Sequence, residues 1–222
     1  MIGLPHPGVE LKLVPAGPKY EARLRGVIVT PGYHRQPELT KAAFDEEGFY
    51  KIGDAATFVD PDDPAQGLVF AGRVVEDFKL ESGTFVHVGP LRVAAIAAAS
   101  PVIQDALVAG QDKAYVALLA WPNLLACRQL AGQPEATLEQ LMQHPAIRQR
   151  VREGLAAHNA AQTGSSQRIH RVLLMAEPPS IDGNELTDKG YINQRAALTR
   201  RAALVQQLYA EPPGADVIAI DG

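Results

Sequence analysis

FYKIGDAATFVD (residues 49–60) and LVFAGRVV (68–75), separated by PDDPAQG (61–67), decide how the first third of this chain folds. Both flanking runs are rich in Val, Ile, Tyr, Phe and Thr, and the Pro, Asp and Gly between them make a turn, so the pair reads as two strands. Upstream, VELKLV (9–14) and YEARLRG (20–26) alternate apolar and polar residues with period two, as half-exposed strands do. Pro37, Glu38, Leu39, Ala42 and Ala43 predict one short helix before the EEG turn at 46–48. Residues 1–75 are expected to form a β-rich subdomain resembling a small barrel or a piece of one.

After Val75 the texture changes. FKL (78–80) and TFVHV (84–88) flank ESG as a hairpin would, and VGPLRVAAIAAA (88–99) is an Ala-rich helix candidate. VIQDALVAG (102–110) and AYVALLAW (114–121) predict strands split by the polar turn Gln111-Asp112-Lys113. Thr137 and Gln140 fit a capping box. Pro145 opens a helix with Ile147, Val151 and Leu155 at four-residue spacing and Gly164 beyond its end, and RIHRVLLMAE (168–177) predicts another strand. A last helix is expected over about 194–209, with Leu198, Ala202, Val205 and Leu208 on one stripe, stopping before Pro212-Pro213. Strands and helices mixed without strict alternation predict an α+β class, with residues 76–222 as a small second domain.

At 222 residues the chain fits one large or two small domains at about 150 residues each. It can bury roughly 70% of its unfolded surface without disulfide or metal support. The 46% hydrophobic and 21% charged residues exclude disordered and fibrous classes. Net charge is −4 with a pI near 5.9, which removes the bulk electrostatic footprint of a nucleic-acid binder. Two local stretches run against that balance: Lys189, Arg195, Arg200 and Arg201 without an acid, and five Arg from 148 to 171 against only Glu153. They face phosphates or are solvated helix faces. The longest apolar run, Ala114 to Trp121, is less than half of the ~20 residues needed to span a bilayer. With no basic, apolar leader and a single Cys127, the chain is expected to be cytoplasmic, without membrane or nucleic-acid partners.

Candidate chemistry is sparse. Gly53-Asp54 places a carboxylate where a strand stops, suited to accept both ribose hydroxyls of a nucleotide or simply to form a turn. Arg73, after Gly72 at the end of another strand, suits a phosphate, a ribose or a surface ion pair. Ser82-Gly83 at a hairpin tip permits close backbone approach by a ligand. Lys189 lies in the polar loop GNELTDKG (183–190), where a mobile ammonium can neutralise developing negative charge. No metal site is expected, because no His pairs with a Cys or acid at ligand spacing. No GxxxxGK[ST], GxGxxG or GxSxG motif is present, so a self-contained nucleotide site is missing.

Taken in order, these pieces resemble the C-terminal part of the adenylate-forming acyl-CoA synthetase superfamily. TPGYHRQPELTKAAFDEEGFYKIGDAATF (30–58) is similar to that family's GY-x-x-x-P-E-x-T…F-x-x-x-G-(W/Y)-Y-x-T-G-D block, and GRVVEDFKLESGTFV (72–86) to the hinge segment and K-x-x-x-G loop that follow. The GLPHPGVELKLV opening, GRVVEDFKL and ELTDKGYINQRAAL (185–198) look closest to feruloyl-CoA synthase and related aryl-acid CoA ligases. The resemblance covers the chain to about residue 210. It implies that Asp54 binds the ribose hydroxyls of ATP or AMP, that Arg73 contacts the same nucleotide, and that Lys189 promotes acyl-adenylate formation. It further implies a lid, residues 76–222, turning on a hinge at Val75 and Glu76, with Ser82 and Gly83 then bordering the pantetheine tunnel.

The pattern departs from the family at three places. Ile52 replaces the Thr of T-G-D, Lys189 stands in T-D-K-G rather than G-K order, and Val75 replaces the hinge Asp or Lys. The family's phosphate loop and acyl pocket lie upstream of a GLP-type opening. The chain is thus expected to be the last part of a longer aryl-acid CoA ligase, inactive alone, whose intact form uses ATP, CoA, Mg2+ and an aryl carboxylic acid. The alternatives are an adenylating enzyme that loads a carrier protein, and a non-catalytic remnant acting as a binding or homo-oligomerisation module.

Overall fold

The computed structural model describes residues 2–16, 19–187 and 190–220, omitting the Val75 side chain. The chain divides into two compact units, Met1–Asp77 and Phe78–Gly222.

Unit 1 is an antiparallel meander. Strands β1 (Val9–Ala16), β2 (Lys19–Gly26), β3 (Tyr50–Phe58) and β4 (Leu68–Arg73) lie in the order β1-β2-β3-β4, and helix α1 (Pro37–Ala43) sits in the β2–β3 connection. β1 and β4 are the outer strands, and Gly3, just before β1, bridges to Leu68 at the start of β4, so the sheet forms a piece of a barrel. The period-two pattern puts Leu11, Leu13, Ala22, Ala56, Phe58 and Leu68 into one apolar cluster. Elsewhere on the sheet Lys12 and Arg23 reach Asp45 at 2.7 and 3.0 Å, and the N–H groups of Glu47 and Phe49 donate to its other oxygen. The Lys12 hydrogen bond, ahead of those from Phe49 N–H and Arg23, holds the Asp45 carboxyl far below its ordinary value of 3.8, against the opposing push of burial. A carboxyl depressed in the folded state contributes stability above its unfolded pKa, and that contribution is lost as pH falls through the folded value. Calorimetric unfolding is therefore expected to show unit 1 losing stability below about pH 4, and Asp45→Asn flattening that acid limb. An unchanged limb in the variant would remove Asp45 as its cause.

Unit 2 is a three-layer sandwich. A hairpin of β5 (Phe78–Lys79) and β6 (Phe85–Val86) precedes helix α2 (Val88–Ala98) and strands β7 (Ile103–Ala109) and β8 (Val116–Pro122). Helices α3 (Leu124–Ala131), α4 (Leu138–Met142) and α5 (Pro145–Ala160) cross over to β9 (Ile169–Leu174), followed by α6 (Gln194–Arg200), α7 (Ala202–Leu208) and β10 (Val217–Ala219). The sheet order is β10-β9-β8-β7, with β8 and β9 parallel and the other pairs antiparallel. Val116, Leu118 and Ala120 pack with Leu91, Ala95, Ile147, Val151 and Leu155, while Ala117, Leu119 and Trp121 pack with Ile192, Ala197 and Leu208. Burial on both faces explains why β8 reads as a continuous apolar run without alternation. No helix among the described residues is long and apolar enough to cross a membrane.

Most expected elements are present, and the Thr137/Gln140 capping box forms with both of its hydrogen bonds. The single helix expected over 194–209 is two, α6 and α7, broken at Arg201, whose guanidinium is ion-paired to the fully buried Glu185. Helix α3 went unread although Asn123 caps its start and the left-handed Gly132 closes its end. Strand β10, three residues in the tail, went unread as well.

Candidate functional site

Strand register brings Asp54 and Arg73 together. They are directly opposite each other on β3 and β4, and Arg73 Nε lies 3.2 Å from Asp54 Oδ1. Gly53 has φ +74, and the register shifts between Asp54 and Ala56, so a bulge follows the glycine and aims the carboxylate. Both side chains stay accessible, 36% for Asp54 and 50% for Arg73. A carboxylate accepts up to about four hydrogen bonds, enough to hold a guanidinium and a diol together. Ile52, in the place of the family's Thr, packs against the Ala22, Ala56 and Leu68 cluster.

Two tyrosines join this face, and the sequence reading gave neither a role. Tyr33 and Tyr50 share a hydroxyl hydrogen bond of 2.9 Å. The Tyr33 hydroxyl and partial burial push the Tyr50 phenol up, while the charge of Arg73 pulls the other way. The signal available was an aromatic following the Pro31-Gly32 turn, and it is a weak one.

In unit 2, Ser82 and Gly83 form the tip of the β5–β6 hairpin. Gly83 has φ +82 and its N–H donates to Leu80 O at 2.8 Å, while Ser82 Oγ bonds Thr84 Oγ1 at 2.9 Å. Lys189 lies outside the described residues, as does Asp188. The residues on either side of them form a hydrogen-bonded stem. Leu186 and Ile192 form a β-bridge, and Thr187 N–H donates to Tyr191 O at 2.8 Å. Gly190 N–H donates to Thr187 O at 2.9 Å. At the base, Glu185 is fully buried and receives Arg201 Nε at 2.7 Å, Arg201 Nη2 at 3.0 Å and Ser180 N–H at 2.7 Å. On the other side the Gln194 side chain bonds both the N–H and the C=O of Val108. The loop that carries Lys189 therefore stands on a stem fixed at both ends.

The arginine-rich stretch from 148 to 171 is occupied elsewhere. Arg148 donates to the carbonyls of Ala215, Asp216 and Val217, and Arg150 to that of Ser100. Arg152 reaches Ala219 O, Arg168 reaches Gln162 O, and Arg171 reaches Leu208 O and Ala210 O. These guanidiniums hold loops and the C-terminal segment in place. Burial pushes the Cys127 thiol up to about 11, so it is not a nucleophile near neutral pH. Val75 and Glu76, where a hinge is expected, lie in a short 3-10 turn, Val74–Glu76, at the end of unit 1.

The mixed α+β architecture is shared with solved adenylation domains. The A domain of carboxylic acid reductase from Segniliparus rugosus, solved with AMP and a co-purified carboxylic acid, superposes with a TM-score of 0.71 at 24% identity. That match covers 94% of this chain and 33% of the other. The A domain of a carboxylate reductase from Mycobacterium chelonae gives 0.70 at 25% identity, covering 93% and 32%. Among curated proteins, the chloroplastic long-chain-fatty-acid–acyl-carrier-protein ligase AEE15 of Arabidopsis thaliana is 25% identical over 94% of this chain and 29% of its own length. The Segniliparus rugosus carboxylic acid reductase is 26% identical over 87% and 15%. The chain thus spans less than a third of these relatives. The model of the AMP-binding enzyme C-terminal domain matches residues 86–212, more than half of the chain, and the chain belongs to that family.

Proposed function

We propose that this chain is the C-terminal portion of an ATP-dependent aryl-acid ligase of feruloyl type, working through an acyl-adenylate and delivering the acyl group to CoA. The observation that carries the adenylating part of this reading is the accessible Asp54–Arg73 pair, a carboxylate for ribose hydroxyls beside a cation for the same nucleotide, while the aryl acid and CoA rest on the sequence resemblance. In the first half-reaction a carboxylate oxygen of the acid attacks the α-phosphorus of ATP and pyrophosphate leaves. Lys189, on its fixed stem, neutralises the charge that develops there. In the second, the CoA thiol sulfur attacks the acyl carbon and AMP departs, with the Ser82–Gly83 tip bordering the pantetheine arm. The lid is residues 76–222. Mg2+ would enter with the nucleotide and neutralise part of its phosphate charge; among the described residues no group of three or more His, Cys, Asp or Glu is placed to hold a metal ion.

A second reading, transfer to a carrier-protein thiol, draws support from the acyl-carrier-protein ligase and the carboxylic acid reductases among the relatives. Pyrophosphate exchange on the longer parent protein, with aryl and long-chain acids, tests the adenylation common to both. Transfer to free CoA or to a carrier protein then separates them. Ferulate-dependent exchange and a CoA thioester are expected, transfer to the carrier alone installs the second reading, and no acid-dependent exchange removes both. The 222-residue chain by itself is expected to give no exchange above background. Positioning of acid, phosphates and cation accounts for about 7–11 kcal/mol of such barriers, and this chain supplies only part of it. Exchange by the chain alone at the parent's rate would overturn that expectation.

A further inference from the structure

We propose that Lys19 fixes where the lid can turn, placing the flexible joint at the Asp77–Phe78 peptide rather than at Val75–Glu76. The inference rests on the reading of residues 76–222 as a mobile lid and moves its boundary. Lys19 opens β2, and its ammonium donates to the Ala71 carbonyl at 2.5 Å and lies 2.8 Å from Asp77 Oδ2. One side chain therefore holds both ends of the segment 71–77. The two charged side chains are only 9% and 10% exposed, so releasing either leaves the other charge largely out of water, a costly outcome. Between those ends, Arg73 is held opposite Asp54 in the sheet, and Val74–Glu76 is wound in its 3-10 turn.

The next residue belongs to the other unit. Phe78 pairs with Val86 in the β5–β6 hairpin, and its ring packs on the core of unit 2, so close to Gly110 that a Cβ there would lie 3.0 Å from it. With Asp77 tied to unit 1 and Phe78 to unit 2, the backbone torsions between them are the ones left to turn. The tether also keeps the end of β4 in register, so Arg73 remains opposite Asp54 while the lid moves.

Native-state hydrogen exchange on the whole chain tests this, using wild type, Lys19→Met, Asp77→Asn and Lys51→Met, the last removing a partly exposed lysine that donates to Ala42 O, away from the 71–77 segment. In wild type, amides 74–77 are expected to open together with β3 and β4, and in Lys19→Met and Asp77→Asn to exchange at least about tenfold faster. Lys51→Met should leave them unchanged. Amides of β2 and β3 report whether the sheet survives; if Lys19→Met melts it, the milder Asp77→Asn decides. Residues 74–77 opening alone in wild type, or unmoved by Asp77→Asn, would overturn the proposal. Exchange reads the tether without catalysis, so its result stands apart from that of the ligase assays.

Discussion

Arg201→Met lowers the unfolding free energy of unit 2 by about 3–5 kcal/mol, the range for removing one partner of a buried ion pair. Glu185 has no solvent exposure, and Arg201 grips it through two nitrogens while donating also to Pro178 O and lying 5.2 Å from the Trp121 ring centre. Burial pushes the Glu185 carboxyl up, but Arg201 and the Ser180 N–H outweigh it and hold the group below its ordinary value. Its contribution is thus present above the unfolded Glu pKa and is lost as pH falls through the folded one. Without Arg201 the buried carboxylate loses its two closest charged donors and keeps the Ser180 N–H and the half-exposed Arg200, whose Nε lies 3.7 Å away. Trp121, the single tryptophan, reports the urea transition of unit 2 directly. The double variant Glu185→Leu/Arg201→Met should recover most of the loss, because neither charge then remains buried alone. An Arg201→Met midpoint equal to wild type, at unchanged slope, would show that the pair is not what secures this loop.

The second large effect follows from the role proposed for Lys189 and is read in the longer enzyme proposed above. Lys189→Ala should slow adenylation by about 10²–10³, the cost of removing a preorganised charge-stabilising group worth about 2.7–4 kcal/mol. It should leave the use of preformed acyl-adenylate intact. Substitution at Gly83 should do the reverse, sparing adenylation and impairing thioester formation. Its φ of +82 makes a leucine there strained whatever the space, so Gly83→Asn is the cleaner change, since asparagine tolerates left-handed backbone. Nothing lies within 4 Å of the added Cβ, so the effect reads obstruction of the ligand rather than misfolding. Rapid-quench measurement of each half-reaction separates the two variants. Equal loss of one half-reaction in both would dissolve the assignment of Lys189 and Gly83 to different steps.

What the sequence shows of this protein follows the range of the forces involved. Period two in VELKLV and period four in Ile147, Val151 and Leu155 are local, and both appear as expected in β1 and α5. The Asp54–Arg73 contact is not local: nineteen positions apart in the chain, the two meet only because β3 and β4 pair with a bulge beside Gly53. Lys19, Glu185 and Gln194 were silent for the same reason. A lone lysine, an acid in a polar loop and a helix-opening glutamine look solvated until tertiary structure buries them against Asp77, Arg201 and Val108. The five arginines from 148 to 171 were equally silent, because most of their partners are backbone carbonyls, which leave no mark in composition.

The amide of Gln194 has one more consequence. β7 is the last strand of its sheet, and an outermost strand offers unpaired backbone groups as a template on which another chain can grow. By satisfying the N–H and the C=O of Val108 together, Gln194 takes the place a neighbouring strand would occupy there. Asn159 does the same for Ile169 at the start of β9. Two side-chain amides thus end the hydrogen-bond ladder at Val108 and at Ile169, where backbone would otherwise extend it.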